Sequence, residues 1–177
     1  MGKNEIDIII LAGLLQGPAH GYQLKQRIDV SFGQFYINLS TGSLYTRLQK
    51  FEAEGLVEGR REHQERLPDR KVFKLTGAGR KRLVELVATP VEMTGTMWPE
   101  LHDFTVHALL FQLITKEQRR RVVEPFIERA ERQYAVGTGA LKKYREEMDF
   151  FTTATMQWGM ETCAENIKYF RSLLDAD

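Results

Sequence analysis

Only one cysteine, Cys163, stands in the 177 residues. A lone thiol closes no intramolecular disulfide, and His20, His63, His102 and His107 are too scattered to build a zinc site around it. Long apolar runs are missing as well. No stretch approaches the ~18 consecutive apolar residues of a membrane helix. The N-terminus also lacks the basic, apolar and small-residue succession of a signal peptide, so a cytoplasmic protein without a membrane role is expected. Enzyme signatures are absent too: there is no glycine-rich phosphate loop, no Ser-His-Asp order in a strand-turn-helix setting and no metal cluster. Neither catalysis nor a cofactor is expected. Net charge is only +1, but residues 1–90 hold 14 of the 25 Lys and Arg and 10 of the 24 Asp and Glu, a balance of +4 against −3 for the remainder. A basic front and an acidic back fit a nucleic-acid reader joined to a separate assembly module.

What is present is an ordinary globular composition, 42% hydrophobic and 28% charged. Ile6, Ile8, Ile9, Ile10, Leu11, Leu14 and Leu15 predict a buried first helix that ends at Gly17-Pro18. Tyr22, Leu24 and Ile28 predict a short second helix, with Gln23, Lys25, Gln26 and Arg27 left for solvent or phosphate. The segment from Ser40 to Gly55 is the most legible. Ser40 or Thr41 can cap it, Gly55-Leu56 can stop it, and Leu44, Leu48 and Phe51 form its core stripe. At 100° per residue, Gly42, Thr46, Gln49 and Lys50 point away from that stripe, while Ser43, Tyr45 and Arg47 flank it.

Leu56–Arg60 and Lys71–Leu75 then read as two short strands around a polar loop containing Pro68-Asp69. Arg60, Arg61, Arg66, Arg70 and Lys71 crowd this hairpin, diluted by Glu62, Glu65 and Asp69. Thr76 caps a fourth helix carrying Leu83, Leu86 and Val87. Three helices, a hairpin and a helix make the winged helix-turn-helix order, so the fold class is mainly α with a small β-hairpin. A break at Thr89–Pro99, punctuated by Pro90, Gly95 and Pro99, separates a winged helix in 1–90 from a second, α-helical domain in 91–177.

In that second half a shorter helix carries Leu101, Phe104, Ala108 and Phe111, and Thr115 with Gln118 has the spacing of a capping box. Val123, Ile127, Ala130, Tyr134, Gly137, Leu141, Tyr144 and Met148 repeat at steps of four and three, with Pro125, Gly137 and Gly139 predicting a kink or break. The last segment carries two rows. Met156, Met160, Cys163, Ile167, Phe170 and Leu174 can pack on the preceding helix. Phe151, Thr155, Trp158, Thr162 and Tyr169 need other cover, and a second subunit is the expected one. Within its seam Cys163 reads as a small buried hydrophobe ahead of a redox sensor.

Leu14-Leu15, Gly17-Pro18-Ala19-His20-Gly21-Tyr22-Gln23-Leu24, Leu39-Ser40-Thr41-Gly42-Ser43-Leu44-Tyr45, Glu54-Gly55-Leu56-Val57 and Leu75-Thr76-Gly77-Ala78-Gly79-Arg80 together resemble the PadR family of transcriptional regulators. Trp158-Gly159-Met160-Glu161 through Phe170 is similar to the end of the α-helical dimerisation domain of its longer members. The resemblance implies a homodimeric repressor of a nearby operon, bound to an inverted-repeat operator in double-stranded DNA and released by a phenolic or drug-like aromatic effector. Under it, the candidate DNA-binding residues are Tyr22, Lys25, Ser40, Thr41, Ser43, Tyr45, Thr46, Arg47, Gln49, Lys50, Arg60, Arg61, Arg66 and Arg70. Gln49 can pair with adenine and Lys50 can reach guanine or phosphate, whereas the hydroxyls of Ser40, Thr41 and Ser43 suit phosphate positioning. Tyr22 and Tyr45 stand equally as struts of the fold or as phosphate contacts. Phe151, Thr155, Trp158, Thr162 and Tyr169 are the candidate dimerisation row, and Trp98, Phe104 and Trp158 the candidate effector pocket. The alternative function is a winged-helix adaptor that binds protein instead of DNA, which an apolar patch on the third helix would favour.

Overall fold

The computed structural model describes residues 3–32, 39–63, 70–93 and 97–176, with the side chains of residues 3 and 97–99 outside that description. The chain forms two compact units, Met1–Ile114 and Thr115–Asp177.

The first unit is built around α1, Lys3–Gly13. Ile8, Ile9, Ile10 and Leu11 are all fully buried. Four consecutive buried residues cannot lie on one face of a helix, so α1 must be covered all round. It packs against α2 (Gly21–Phe32), α3 (Thr41–Ala53), α4 (Gly77–Val87) and α5 (Met97–Ala108). A short strand β1, Ala19–His20, precedes α2. The hairpin consists of β2, Val57–Glu62, and β3, Arg70–Leu75, paired antiparallel from Val57↔Leu75 to Glu62↔Arg70. β1 joins the far edge of β3 through Ala19↔Phe73 and His20↔Val72, giving a three-stranded sheet in the order β1-β3-β2. The hairpin expectation thus gains a third strand at the helix-turn-helix.

Thr76 caps α4 by accepting from Gly79 N–H at 3.0 Å, and its own hydroxyl donates to the carbonyls of Gly55 and Leu56. The cap therefore ties the start of α4 to the end of α3. α5 also belongs to this unit, so the packing divides at Ile114/Thr115 instead of at residue 90. His107 carries its attachment to α1 and α4, next to an aromatic contact within the 104–111 stretch. Phe104 is fully buried and meets Phe111 edge-on at 6.0 Å. His107, 1% exposed, places Nδ1 3.0 Å from the Val87 carbonyl of α4 and Nε2 3.3 Å from Glu5 of α1.

The second unit is an antiparallel helical hairpin of α6, Lys116–Tyr144, and α7, Phe150–Asp175. The capping box at Thr115 and Gln118 forms as the spacing predicts. Phe126 packs on Phe170 at 5.6 Å, and Arg171 reaches Glu131 at 2.5 Å. Of the kink or break expected in α6, the break does not occur, and the helix runs uninterrupted from Lys116 to Tyr144. Pro125 leaves only the Arg121 carbonyl without its helical donor, and Arg121 is exposed, so water can serve that oxygen. Gly137 lies against the Met160 thioether, which would have to shift to admit a side chain there. Among the described residues, no helix is long and apolar enough to cross a membrane.

Candidate nucleic-acid interface

The Ser40 side chain accepts the Ser43 N–H at 3.1 Å, which starts α3. Its far end closes with Gly55 at φ +72°, where the Gly55 N–H donates to Glu52 and the Leu56 N–H to Phe51. That pair of bonds requires the left-handed backbone glycine accepts most readily. Leu44, Leu48 and Phe51 are buried between these ends. The 13-residue helix is thus defined at both ends and about 20 Å long.

Its opposite face presents Gly42, Thr46, Gln49 and Lys50, all exposed. Thr46 donates its hydroxyl to the Gly42 carbonyl at 2.9 Å and keeps its lone pairs outward. Lys50 stands 3.6 Å from Glu54 in an exposed i,i+4 pair that costs little to break. Thr41 is exposed at the first helical position and Ser43 half-buried behind it. This face offers amide, hydroxyl and ammonium groups, with no large apolar side chain among Gly42, Thr46, Gln49 and Lys50.

The remaining candidates separate. Tyr22 is 68% exposed on α2, its hydroxyl accepting from Gln26 Nε2 at 3.3 Å. Tyr45 instead lays its hydroxyl against Gly21, where a Cβ would stand 2.3 Å from that oxygen. Of the two tyrosines, Tyr45 props α3 on α2 and Tyr22 is open to a partner. Lys25 is engaged by Asp29 at 2.5 Å. Arg47 is bonded to Asp7 of α1. On the hairpin Arg60 and Arg61 are exposed and unpaired among the described residues, whereas Arg70 donates twice to Glu62, both at 3.1 Å. Arg66 lies outside the described residues.

Sequence patterning missed three anchoring groups. Asp7 and Glu52 each form an ion pair that fixes α3, the latter with Lys71 of β3 at 2.5 Å. Arg27 donates to the carbonyls of Gly17 and Pro18 and so holds the turn before α2. All three act across elements, which residue spacing within one helix does not reveal.

In the second unit the inner row of α7 faces α6, with Cys163 and Phe170 buried. Burial pushes the Cys163 thiol above its ordinary pKa, as expected of a packing residue. The outer row is uncovered: Phe151 is 77% exposed, Trp158 61% and Tyr169 43%, with Thr155 exposed and Thr162 half-buried beside them. Of the effector-pocket candidates, Phe104 is locked in the first unit's core, Trp158 is on the exposed row, and the Trp98 side chain lies outside the described residues.

Residues 10–85 match the model of the transcriptional regulator PadR-like family. The chain is 32% identical over 120 residues to an uncharacterized 37.1 kDa protein of a Streptomyces fradiae transposon, a match over 68% of this chain and 32% of that protein. It is 31% identical over 85 residues to a Mycobacterium tuberculosis protein described as a probable transcriptional regulator, over 48% of this chain and 44% of that one. The chain therefore spans less than half the length of either relative. Among solved structures it is similar to Bacillus subtilis PadR in complex with operator DNA, at 18% identity, with 96% of this chain and 97% of that chain covered and a TM-score of 0.47.

Proposed function

Since residues 10–85 match the PadR-like family of transcriptional regulators, we propose that the chain binds operator DNA sequence-specifically through its winged helix and represses transcription as a homodimer. The observation that carries this is α3: a capped helix that turns Thr46, Gln49 and Lys50 outward and is flanked by a hairpin with exposed Arg60 and Arg61. An α-helix of this size fits a major groove. Gln49 and Lys50 read base edges, Ser40, Thr41, Ser43 and Tyr22 position phosphates, and the hairpin arginines follow the backbone. Its place of work is the cytoplasm.

Dimerisation through residues 91–177 is supported by the outer row of α7. Phe151, Trp158 and Tyr169 form an apolar surface that a second copy would cover, and two recognition helices would then meet an inverted repeat in successive major grooves. A small aromatic effector is the finer part of the proposal. It follows from the family's regulatory habit, and the exposed Trp158 provides the reporter for testing it. Compounds that quench tryptophan fluorescence should also weaken operator binding. Quenching with unchanged affinity removes the coupling.

The DNA-binding proposal is tested by fluorescence anisotropy on a duplex containing the operator. Replacing Lys50, Arg60 and Arg61 together by alanine should weaken binding and lower the salt slope by about one for each phosphate no longer neutralised. Full affinity in the triple variant contradicts the assigned surface.

A further inference from the structure

Building on the assignment of α3 as the DNA-reading helix, we propose that Arg47 is a positioning residue, held by Asp7 of α1 to fix the rotation of α3, and is not itself a DNA contact. The Arg47 and Asp7 side chains are 19% and 14% exposed, and Nη1 is bonded to Oδ1. On an ideal helix Arg47 stands roughly 60° to one side of Leu44 and Glu52 roughly 80° to the other. Glu52 is bonded in turn to Lys71 of β3. α3 is therefore tied on both flanks of its buried stripe, to α1 on one side and to the wing on the other.

The stripe alone does not set the rotation, because apolar burial is non-directional. Charge-assisted hydrogen bonds are directional. A recognition surface must hold its side chains within roughly 10–20° of the productive geometry, and the two pairs supply that restraint next to Thr46, Gln49 and Lys50. Burial pushes the Asp7 carboxyl above its ordinary pKa, and the neighbouring Arg47 and Lys50 oppose that shift only in part. A pair whose desolvation is so incompletely offset contributes little net stability. Replacing both partners together should therefore register in recognition more than in unfolding.

Asp7→Asn and Arg47→Met, singly and together, separate positioning from contact. Intact proteins are titrated onto a duplex selected from a random pool and onto an unrelated duplex, at several salt concentrations. For a positioning pair, each single variant loses affinity for the selected duplex by roughly 2- to 100-fold, and the double variant loses no more than the singles. Affinity for the unrelated duplex and the salt slope stay unchanged. Overturning the proposal would take an Arg47→Met that weakens both duplexes alike and lowers the slope by about one, with Asp7→Asn binding as tightly as wild type or tighter. Urea unfolding of each variant checks the fold, and the isosteric Asp7→Asn keeps the test usable if Arg47→Met proves unstable. A wild-type protein that does not distinguish the two duplexes refutes instead the reading of α3 on which the proposal rests.

Discussion

Replacing Glu5 by alanine should destabilise the first unit more than any surface substitution in it. His107 Nδ1 faces the Val87 carbonyl, an acceptor only, and Nε2 faces Glu5 Oε1. Burial pushes the Glu5 carboxyl up, but its hydrogen bond to His107, one from its own backbone and the charge of His107 outweigh this, and the net pKa is lowered. Removing Glu5 leaves the buried Nε2 of His107 without that partner. Breaking a buried pair in this way costs about 3–5 kcal/mol, against about 1–3 kcal/mol for a neutral unsatisfied group. A loss of about 3 kcal/mol moves the urea midpoint down by roughly 1–3 M. Glu5→Gln keeps a hydrogen-bonding partner and should cost less. Because the folded pKa of Glu5 is depressed below its ordinary 4.5, its contribution is complete above that pH and is lost as pH falls through the folded value. The gap between wild type and Glu5→Gln should therefore be widest near neutral pH and close below 4.5. Urea titrations followed by circular dichroism measure both effects. A Glu5→Ala protein with the wild-type midpoint, or a gap that widens on acidification, refutes the reasoning.

Other substitutions test separate links of the account. Ser40→Ala removes the cap of α3 and should cost about 1 kcal/mol in urea unfolding. Gly42→Ala meets nothing within 4 Å and sits at ordinary helical dihedrals, so it should stabilise the fold by about 0.5 kcal/mol yet weaken DNA binding, because its methyl projects from the reading face. Unchanged DNA affinity would place the duplex away from that face. Light scattering should give twice the chain mass for the intact protein and a lighter species for Trp158→Glu combined with Phe151→Ser; a monomeric wild type removes the dimer.

The parts of this fold that were legible in the sequence are those set by local chemistry. α3 announces itself through a cap, a three-residue stripe and a glycine stop, and each of these forms. The capping box of α6 and the inner row of α7 do so for the same reason. Tertiary contacts were opaque. β1 is two residues long and exists because Ala19 and His20 meet Phe73 and Val72, more than fifty positions away. α5 joins the first unit through His107 and Glu5, 102 positions apart. Arg47 read as a flanking residue and candidate DNA contact, because nothing in the periodicity of α3 points to Asp7. The proline of α6 was overweighted: one missing hydrogen bond on an exposed helix side did not interrupt a 29-residue helix.

The most direct test of the central claim is selection of duplexes from a random pool by the intact protein, followed by anisotropy on the winner. The account predicts enrichment of two related half-sites in inverted orientation, centred roughly 10 base pairs apart or a multiple of that, with affinity falling steeply as salt rises. A pool that emerges without enrichment, from a protein that binds every duplex alike or none even at low salt, contradicts it.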